Sequence, residues 1–213
     1  MVALRKRIRR SLRTVVHNTV ARTEIYPFER IWVRLKHLKD YVGIGIPYRY
    51  FGRIRFGTWD QQTKPFQNSW RAQCCRLHWI EGQSWEETGA YRHLAAELAN
   101  NADGEVDGCR NHEDIVRRYE RLDALYELAK ARGLPSIGTM IDGRTTERDA
   151  ILVHVARDGR LLVGSGGAHR LAMAQCLNLD RIPAGLGVIH GLAARRLLYR
   201  RTEAARCEDW YIG

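Results

Sequence analysis

The segment from Gly164 to Arg170 reads GSGGAHR and places glycines directly before a predicted helix. Glycine lets the chain bend sharply and lets a phosphate approach the backbone closely. A helix start adds unpaired backbone N–H groups and the positive end of the helix dipole. His169 and Arg170 fall in the first turn, where they supply a titratable donor and a permanent bidentate cation. The segment therefore predicts an anion site, with phosphate as the best-suited anion. Its residues are Gly166, Gly167, Ala168, His169 and Arg170.

A tight turn followed by a capped helix explains the same residues without any ligand. The glycine spacing matches neither a Walker loop nor a dinucleotide-binding fingerprint. Both interpretations stay open on the residues alone.

Short elements of secondary structure surround this segment. Ile151–Val155 and Leu161–Val163 predict a hairpin, because Asp-Gly stands at the centre of the turn between them. Small and apolar residues from Ala168 to Leu177 predict a helix, and Ile182–Ile189 predicts a strand. A basic helix is predicted over 192–201.

Further helices are predicted upstream. Asn111 is a predicted N-cap, and the helix it begins ends at Gly133 and Pro135. The capping box formed by Ser84 and Glu87 predicts a helix from Trp85 to Asn100. Alternation over 50–56 predicts a strand, and apolar residues at helical spacing predict a basic amphipathic helix over 3–20.

Residues 150–190 resemble the core of the ParB/sulfiredoxin superfamily. The resemblance is carried by the hairpin ILVHVARDGRLLV, the turn GSGGAHR, the helix LAMAQCLNLD and the strand RIPAGLGVI. It implies an α/β (α+β) fold: a small mixed sheet with flanking helices, preceded here by a helical N-terminal region. It also implies that the turn receives nucleotide phosphates, as in sulfiredoxins, free-serine kinases and CTP-binding segregation proteins.

Two departures from the family narrow what the resemblance implies. Sulfiredoxins have their nucleophilic cysteine where this chain has Ala168, so sulfiredoxin activity is excluded. Kinase-like members often have an aspartate where this chain has Gly166, so a base or metal ligand must come from elsewhere. The positions that carry over are Gly166, Gly167, His169 and Arg170.

Two further motifs, FGRIRFGTWD and GQSWEETGAYRHL, precede the glycine turn. In this order the three motifs look like a group of uncharacterised bacterial and archaeal proteins. The pattern offers Asp60 and Glu87 as carboxylates and three aromatic rings as stacking surfaces, namely Trp59, Trp85 and Tyr91. A turn, a capping box and an aromatic core explain the same residues without a ligand. The loop acids Asp142, Glu147 and Asp149 are candidate magnesium ligands, with nothing to select among them.

Composition limits the class of protein. The chain has 213 residues and a formal charge of +11, of which residues 1–40 carry +8. No apolar run approaches the roughly 18–20 residues of a membrane span, and the N-terminus lacks the apolar stretch of a secretory signal. Five cysteines without a C-x-x-C pair favour neither a disulfide framework nor zinc, so we expect a cytoplasmic location. The expected division is 1–40, 41–108 and 109–213.

The leading hypothesis is a nucleotide-dependent phosphotransferase that acts on a small polar molecule. The turn and Arg170 would hold the phosphates of ATP, ADP or CTP with Mg²⁺, and His169 would donate to the transferring oxygen. Asp60 would take the acceptor proton or hold the metal. The alternative is a non-enzymatic binding or scaffold protein. Its residues 1–22 would engage an anionic membrane or an acidic partner, and its glycine turn would be a degenerate phosphate site that holds a regulatory ligand or nothing. Sequence-specific DNA binding would need a recognition helix, which we do not find.

Overall fold

A computed structural model describes residues 30–43, 45–46, 52–134, 150–196 and 198. Contacts divide these into two compact units. The sheet unit comprises the described residues of Met1–Phe66, Ser136–Gly167 and Asp180–Gly213; the helical unit comprises those of Gln67–Pro135 and Ala168–Leu179. The expected division is consecutive along the chain, whereas each unit combines distant segments, joined by strand pairing in the sheet unit and by helix packing in the helical unit.

The sheet unit is one mixed sheet of seven strands. The strands are β1 (Arg30–Arg34), β2 (Asp40–Val42), β3 (Ile54–Arg55), β4 (Thr63–Pro65), β5 (Leu152–Val155), β6 (Leu161–Val163) and β7 (Arg181–His190). Their order is β1-β7-β5-β6-β2-β4, and β3 also pairs with β7. The pairs β5/β7, β2/β6 and β3/β7 are parallel, and the other three are antiparallel. The predicted mixed α/β fold class is confirmed.

The predicted hairpin and the strand that follows it are confirmed. β5 and β6 pair with Val155 opposite Leu161. Asp158 accepts from the backbone N–H of Arg160 at 2.9 Å, and Gly159 takes a φ of +86°, so the turn residues suit their positions. All four residues of β5 and all but the first of β7 are buried, because these strands lie inside the sheet.

Strand β1 lies within the segment that the sequence assigns to a basic arm. Ile31 and Val33 are buried, while Arg34 is exposed, which is the alternation of an edge strand with one covered face. Its partner, β7, lies about 150 residues away in the chain, so no local sequence pattern predicts that the two strands pair. The strand predicted over 50–56 is observed as the shorter β3, and residues 50–51 lie outside the described residues.

The helical unit contains α1 (Trp70–Trp79), α2 (Ala90–Ala99), α3 (His112–Arg132) and α4 (Ala168–Cys176). The predicted start of α3 is confirmed, because the Asn111 side chain accepts from the backbone N–H of Asp114 at 2.9 Å. It ends at Gly133, whose φ is +79°. Its buried stripe is Ile115, Tyr119, Leu122, Leu125 and Ala129. The sequence gives no prediction for α1, which Ser69 caps.

The helix predicted from Trp85 begins later, at Ala90. The capping box does form: the Glu87 carboxylate accepts from the Ser84 backbone N–H at 2.7 Å, and Ser84 Oγ accepts from the Glu87 N–H at 3.2 Å. Gly89 follows with a φ of +79°, outside the helical region. The box therefore closes a turn, and α2 begins after that glycine.

Some predictions lie outside the described residues. These are the helix over 3–20 and the loop acids Asp142, Glu147 and Asp149. Of the helix predicted over 192–201, the structure shows α5 (Gly191–Arg195), and most of the remainder lies outside. Within the described ranges, every helix is too short or too polar to span a membrane.

Candidate functional site

The glycine turn before α4 is held by the sheet unit. The backbone N–H of Gly164 donates to Leu152 O at 2.7 Å, and the N–H of Leu152 donates to Gly166 O at 3.3 Å. Gly167 has a φ of +70°, and a Cβ there would lie 2.6 Å from backbone atoms of Ala150 and Ile151. Glycine at position 167 is thus required by the close approach of Ala150 and Ile151, whether or not a ligand binds.

α4 begins at Ala168, as the sequence predicts, with His169 and Arg170 in its first turn. Both side chains are buried, each with 5% of its surface exposed. Buried residues continue without a break from His169 to Ala174, so α4 is enclosed rather than amphipathic. A guanidinium in such surroundings meets little competition from water for an anion.

His169 lies among aromatic rings of the helical unit. Its ring meets Trp70 and Tyr119 edge-on, with centroids 6.1 and 5.7 Å apart, and its Nε2 lies 3.4 Å from Tyr119 Oη. Burial lowers the pKa of His169 to about 3, and the positive charges of Arg118 and Arg71 lower it further. The sequence suggests a titratable donor here. A pKa this low favours the neutral imidazole at physiological pH over a donor that titrates there.

The two arginines near His169 are paired with acids. Arg71 forms a bidentate pair with Glu97 at 3.1 and 2.6 Å, and its Nη2 lies 3.2 Å from Asp107. Arg118 donates to the backbone carbonyl of Asp107 at 2.7 Å. Burial alone would raise the pKa of Asp107, but Arg118 and Arg71 outweigh it and lower that pKa. The pairs fix both guanidiniums, and their net effect at His169 is electropositive.

Asp60 is held by the hairpin turn of the sheet unit. Its carboxylate is 2% exposed and accepts from the Arg157 backbone N–H at 2.9 Å and from Arg157 Nε and Nη2 at 2.9 and 2.8 Å. Burial would raise the pKa of Asp60, but these hydrogen bonds lower it to about 2. A carboxylate with that pKa is a weak proton acceptor. Asp60 also belongs to a different unit from His169. The geometry gives it a structural role, and its predicted part in catalysis stays a prediction.

Replacing Arg157 by Ala tests that structural role. The change leaves the buried Asp60 carboxylate without its guanidinium, and we expect the melting temperature to fall by roughly 5–10 °C. Arg160→Ala is the control, because its partner Asp158 on the same hairpin is 48% exposed, and we expect a change of about 2 °C or less. Equal shifts in the two variants, measured by differential scanning calorimetry, would contradict the role.

The other motif residues have structural partners. Trp59 and Trp85 are 4% and 5% exposed, and Trp59 packs edge-on against His154 at 5.8 Å. Glu87 serves the capping box. Tyr91 lies against the ring of Tyr119 at 5.4 Å. These contacts favour the structural interpretation of all four residues.

Sequence reasoning missed Asp123, which organises the aromatic core of the helical unit. Its carboxylate accepts from Trp79 Nε1 at 2.8 Å and from Trp85 Nε1 at 2.9 Å, and it lies 3.0 Å from His78 Nε2. The ring of His78 stacks on that of Trp85 at 3.9 Å. The only sequence signal is an acid beside the buried stripe of α3.

A surface groove of about 620 Å³ lies in the helical unit. It is lined by Trp70, His93, Ala96, Glu97, Asn100, Asn101, Ala102 and Val106. The indole of Trp70 stacks on His93 at 5.0 Å and donates to Glu97 at 3.0 Å. Trp70 therefore joins the groove to His169, whose ring meets it edge-on.

The described residues contain no group of three or more His, Cys, Asp or Glu side chains that could hold a metal ion. The magnesium ion that the nucleotide hypothesis implies therefore stays a prediction, and we derive no step through it. The four described cysteines are free thiols, and burial raises the pKa of Cys74, Cys75, Cys109 and Cys176. None is therefore activated as a nucleophile.

Comparisons with protein-family models, with curated proteins and with solved structures found no match. The resemblance to the ParB/sulfiredoxin superfamily consequently stays a prediction, and function is argued from the residues alone.

Proposed function

We propose that this chain binds the phosphate groups of a nucleotide at the segment Gly166–Arg170. The observation that supports this most is the electropositive surroundings of His169 in the first turn of α4. There the charges of Arg118 and Arg71 oppose protonation of the imidazole more than Asp107 favours it. Burial disfavours a charge of either sign, whereas the two arginines repel only a positive charge and attract a negative one, so they favour an anion beside His169.

Each residue has a separate task in the proposal. Backbone N–H groups at the start of α4 donate to phosphate oxygens. Arg170 supplies the bidentate cation. His169, being neutral, keeps one N–H and donates it to a phosphate oxygen without titrating between pH 5 and pH 8. Ligand affinity should therefore be insensitive to His169 protonation in that range.

Phosphoryl transfer to a small polar molecule is the finer form of the proposal. It requires a base for the acceptor hydroxyl, and Asp60 was the candidate. Arg157 binds both Asp60 oxygens, and this observation favours binding of a nucleotide or another phosphorylated ligand without turnover. Detection of nucleoside diphosphate or inorganic phosphate released from ATP, above the level of a no-protein blank, would decide for transfer or hydrolysis.

A thermal-shift screen tests nucleotide binding. We expect ATP, ADP or CTP, with or without Mg²⁺, to raise the melting temperature, since a ligand at 100 times its Kd adds about 2.7 kcal/mol of stability. The variant Arg170→Lys keeps the positive charge but loses the planar guanidinium that binds two phosphate oxygens at once, and we expect it to bind the nucleotide about tenfold more weakly. The control is Arg121→Lys on the exposed side of α3. No shift with any nucleotide, or equal loss in both variants, would refute the proposal.

A further inference from the structure

The two units differ sharply in charge. The described residues of the sheet unit include twelve Lys or Arg and four Asp or Glu, a net charge of +8. Those of the helical unit include ten basic and twelve acidic residues, a net charge of −2. The excess of positive charge is therefore not confined to residues 1–29, and the sheet unit has its own.

The acids of the sheet unit neutralise few of its cations. Asp60 pairs with Arg157, while Asp40 and Asp158 both pair with Arg160. Exposed cations remain that form no ion pair with a described acid. They are Arg34, Lys36, Lys39, Arg53, Lys64, Arg181, Arg195 and Arg196.

Two of these arginines face each other on neighbouring strands. Arg34 of β1 is the register partner of Arg181 of β7, and both are exposed. Antiparallel register partners have Cβ atoms about 5 Å apart on one face of the sheet, and like charges there destabilise the pair. An anion between the two guanidiniums would accept hydrogen bonds from both and would offset their repulsion.

An indole lies beside the arginine pair. Trp32, two residues before Arg34 and on the same face, is half-buried, and the guanidinium of Arg181 lies 5.9 Å over its ring. We call Trp32, Arg34 and Arg181 the β1 strip. Cations that follow a phosphate backbone, next to an aromatic ring that can stack on a base, are the combination that binds single-stranded nucleic acid.

We propose that the β1 strip binds a single-stranded polynucleotide, with Arg34 and Arg181 on phosphates and a base beside the contact between Trp32 and Arg181. A duplex fits less well, because α5, the one α-helix in the described part of the sheet unit, has five residues and is too short to read a major groove. A membrane also fits less well, because Phe56 is the one large hydrophobic side chain exposed in that part, and Arg195 lies 5.2 Å over its ring.

Fluorescence anisotropy with the full chain tests the strip. The probes are labelled 12-nucleotide RNA and DNA single strands, the matching duplex, and vesicles containing anionic lipid, measured between 50 and 200 mM salt. We expect the double variant Arg34→Glu/Arg181→Glu to bind the single strands at least tenfold more weakly. The slope of log K against log salt should fall in magnitude by about 1.4, which is about 0.7 for each lost phosphate contact.

The control carries the same change of charge in the helical unit, Arg121→Glu/Arg132→Glu, and should weaken binding less than threefold. Cross-linking of RNA that contains 4-thiouridine should label the peptide that includes Trp32. The proposal would be overturned if both variants weakened binding equally, or if the duplex bound more tightly than the single strands. It would also be overturned if the vesicles bound to the β1 strip in preference to RNA, or if the cross-links lay only outside the peptide that includes Trp32. Both variants should keep the nucleotide thermal shift of the wild type, so this proposal and the nucleotide site fail independently.

Discussion

Lowering the pH from 7 to 5 should reduce the free energy of unfolding by about 2 kcal/mol for each of two buried histidines, His154 and His169. Burial lowers the pKa of both to about 3, against 6.5 in an unfolded chain. Between those two pH values the unfolded state binds more protons than the folded state. The free energy of unfolding therefore decreases as the pH is lowered. The loss begins near pH 6.5 and is complete near pH 3.

His154 provides the sharper test of this pH dependence. Its Nδ1 accepts from the backbone N–H of Val188 at 2.9 Å, and asparagine can present an oxygen to the same donor. In His154→Asn, urea unfolding at pH 7 and pH 5 should show a difference smaller by about 2 kcal/mol than in the wild type. The control is His37→Asn, at an exposed position, which should leave the difference unchanged. An unchanged difference in His154→Asn would contradict the account.

Asp60 titrates in a separate, more acidic range. Its pKa is about 2 in the folded protein against 3.8 in the unfolded chain, so the stability it contributes is present above pH 4 and is lost as the pH falls toward 2. The range from pH 7 to pH 5 therefore reports the histidines without interference from Asp60.

Replacing Asp123 by Ala should destabilise the protein by about 2–4 kcal/mol. The change removes the acceptor of the Trp79 and Trp85 indole N–H groups and the partner of His78 Nε2, and each buried donor left without a partner costs about 1–3 kcal/mol. The total is moderated because Asp123 is 41% exposed and water reaches part of the site. Chemical unfolding followed by tryptophan fluorescence measures the loss.

Two variants make the Asp123 result specific. Asp123→Asn keeps one carbonyl oxygen as acceptor and should lose about half as much stability. Glu127→Ala, one turn further along α3 and exposed, should change stability by less than about 0.5 kcal/mol. If Asp123→Ala were as mild as Glu127→Ala, the three hydrogen bonds would not hold the aromatic core together.

Elements with complete local signals could be predicted from the sequence. The β5–β6 hairpin has its Asp-Gly turn, α3 has its Asn111 cap and Gly133 stop, and α4 follows directly from the glycine turn. β1 could not be predicted, because its alternation spans five residues and its partner is distant. The predicted start of α2 is wrong because Gly89, with its positive φ, interrupts the chain after the capping box, so the helix begins only at Ala90.

The sequence motif of the candidate site could be predicted, but the charged residues that surround it in the fold could not. The position of His169 in a helix start follows from neighbouring residues. Its neutral state depends on Arg71 and Arg118, which lie far away in the sequence. Likewise, the sequence offers Asp60 as a base, but Arg157, 97 residues later, binds both of its oxygens. Long-range ion pairs of this kind leave no local pattern, and they decide what each side chain can do.

The central claim is that a nucleotide binds through its phosphates at Gly166–Arg170. It is tested most directly by recording backbone amide ¹H–¹⁵N spectra during titration with ADP, and then with adenosine. We expect ADP to shift the amide signals of Gly167, Ala168, His169 and Arg170 most strongly and adenosine to leave them in place. The claim would be contradicted if saturating ADP left these four signals unmoved, or if adenosine shifted them as far as ADP does.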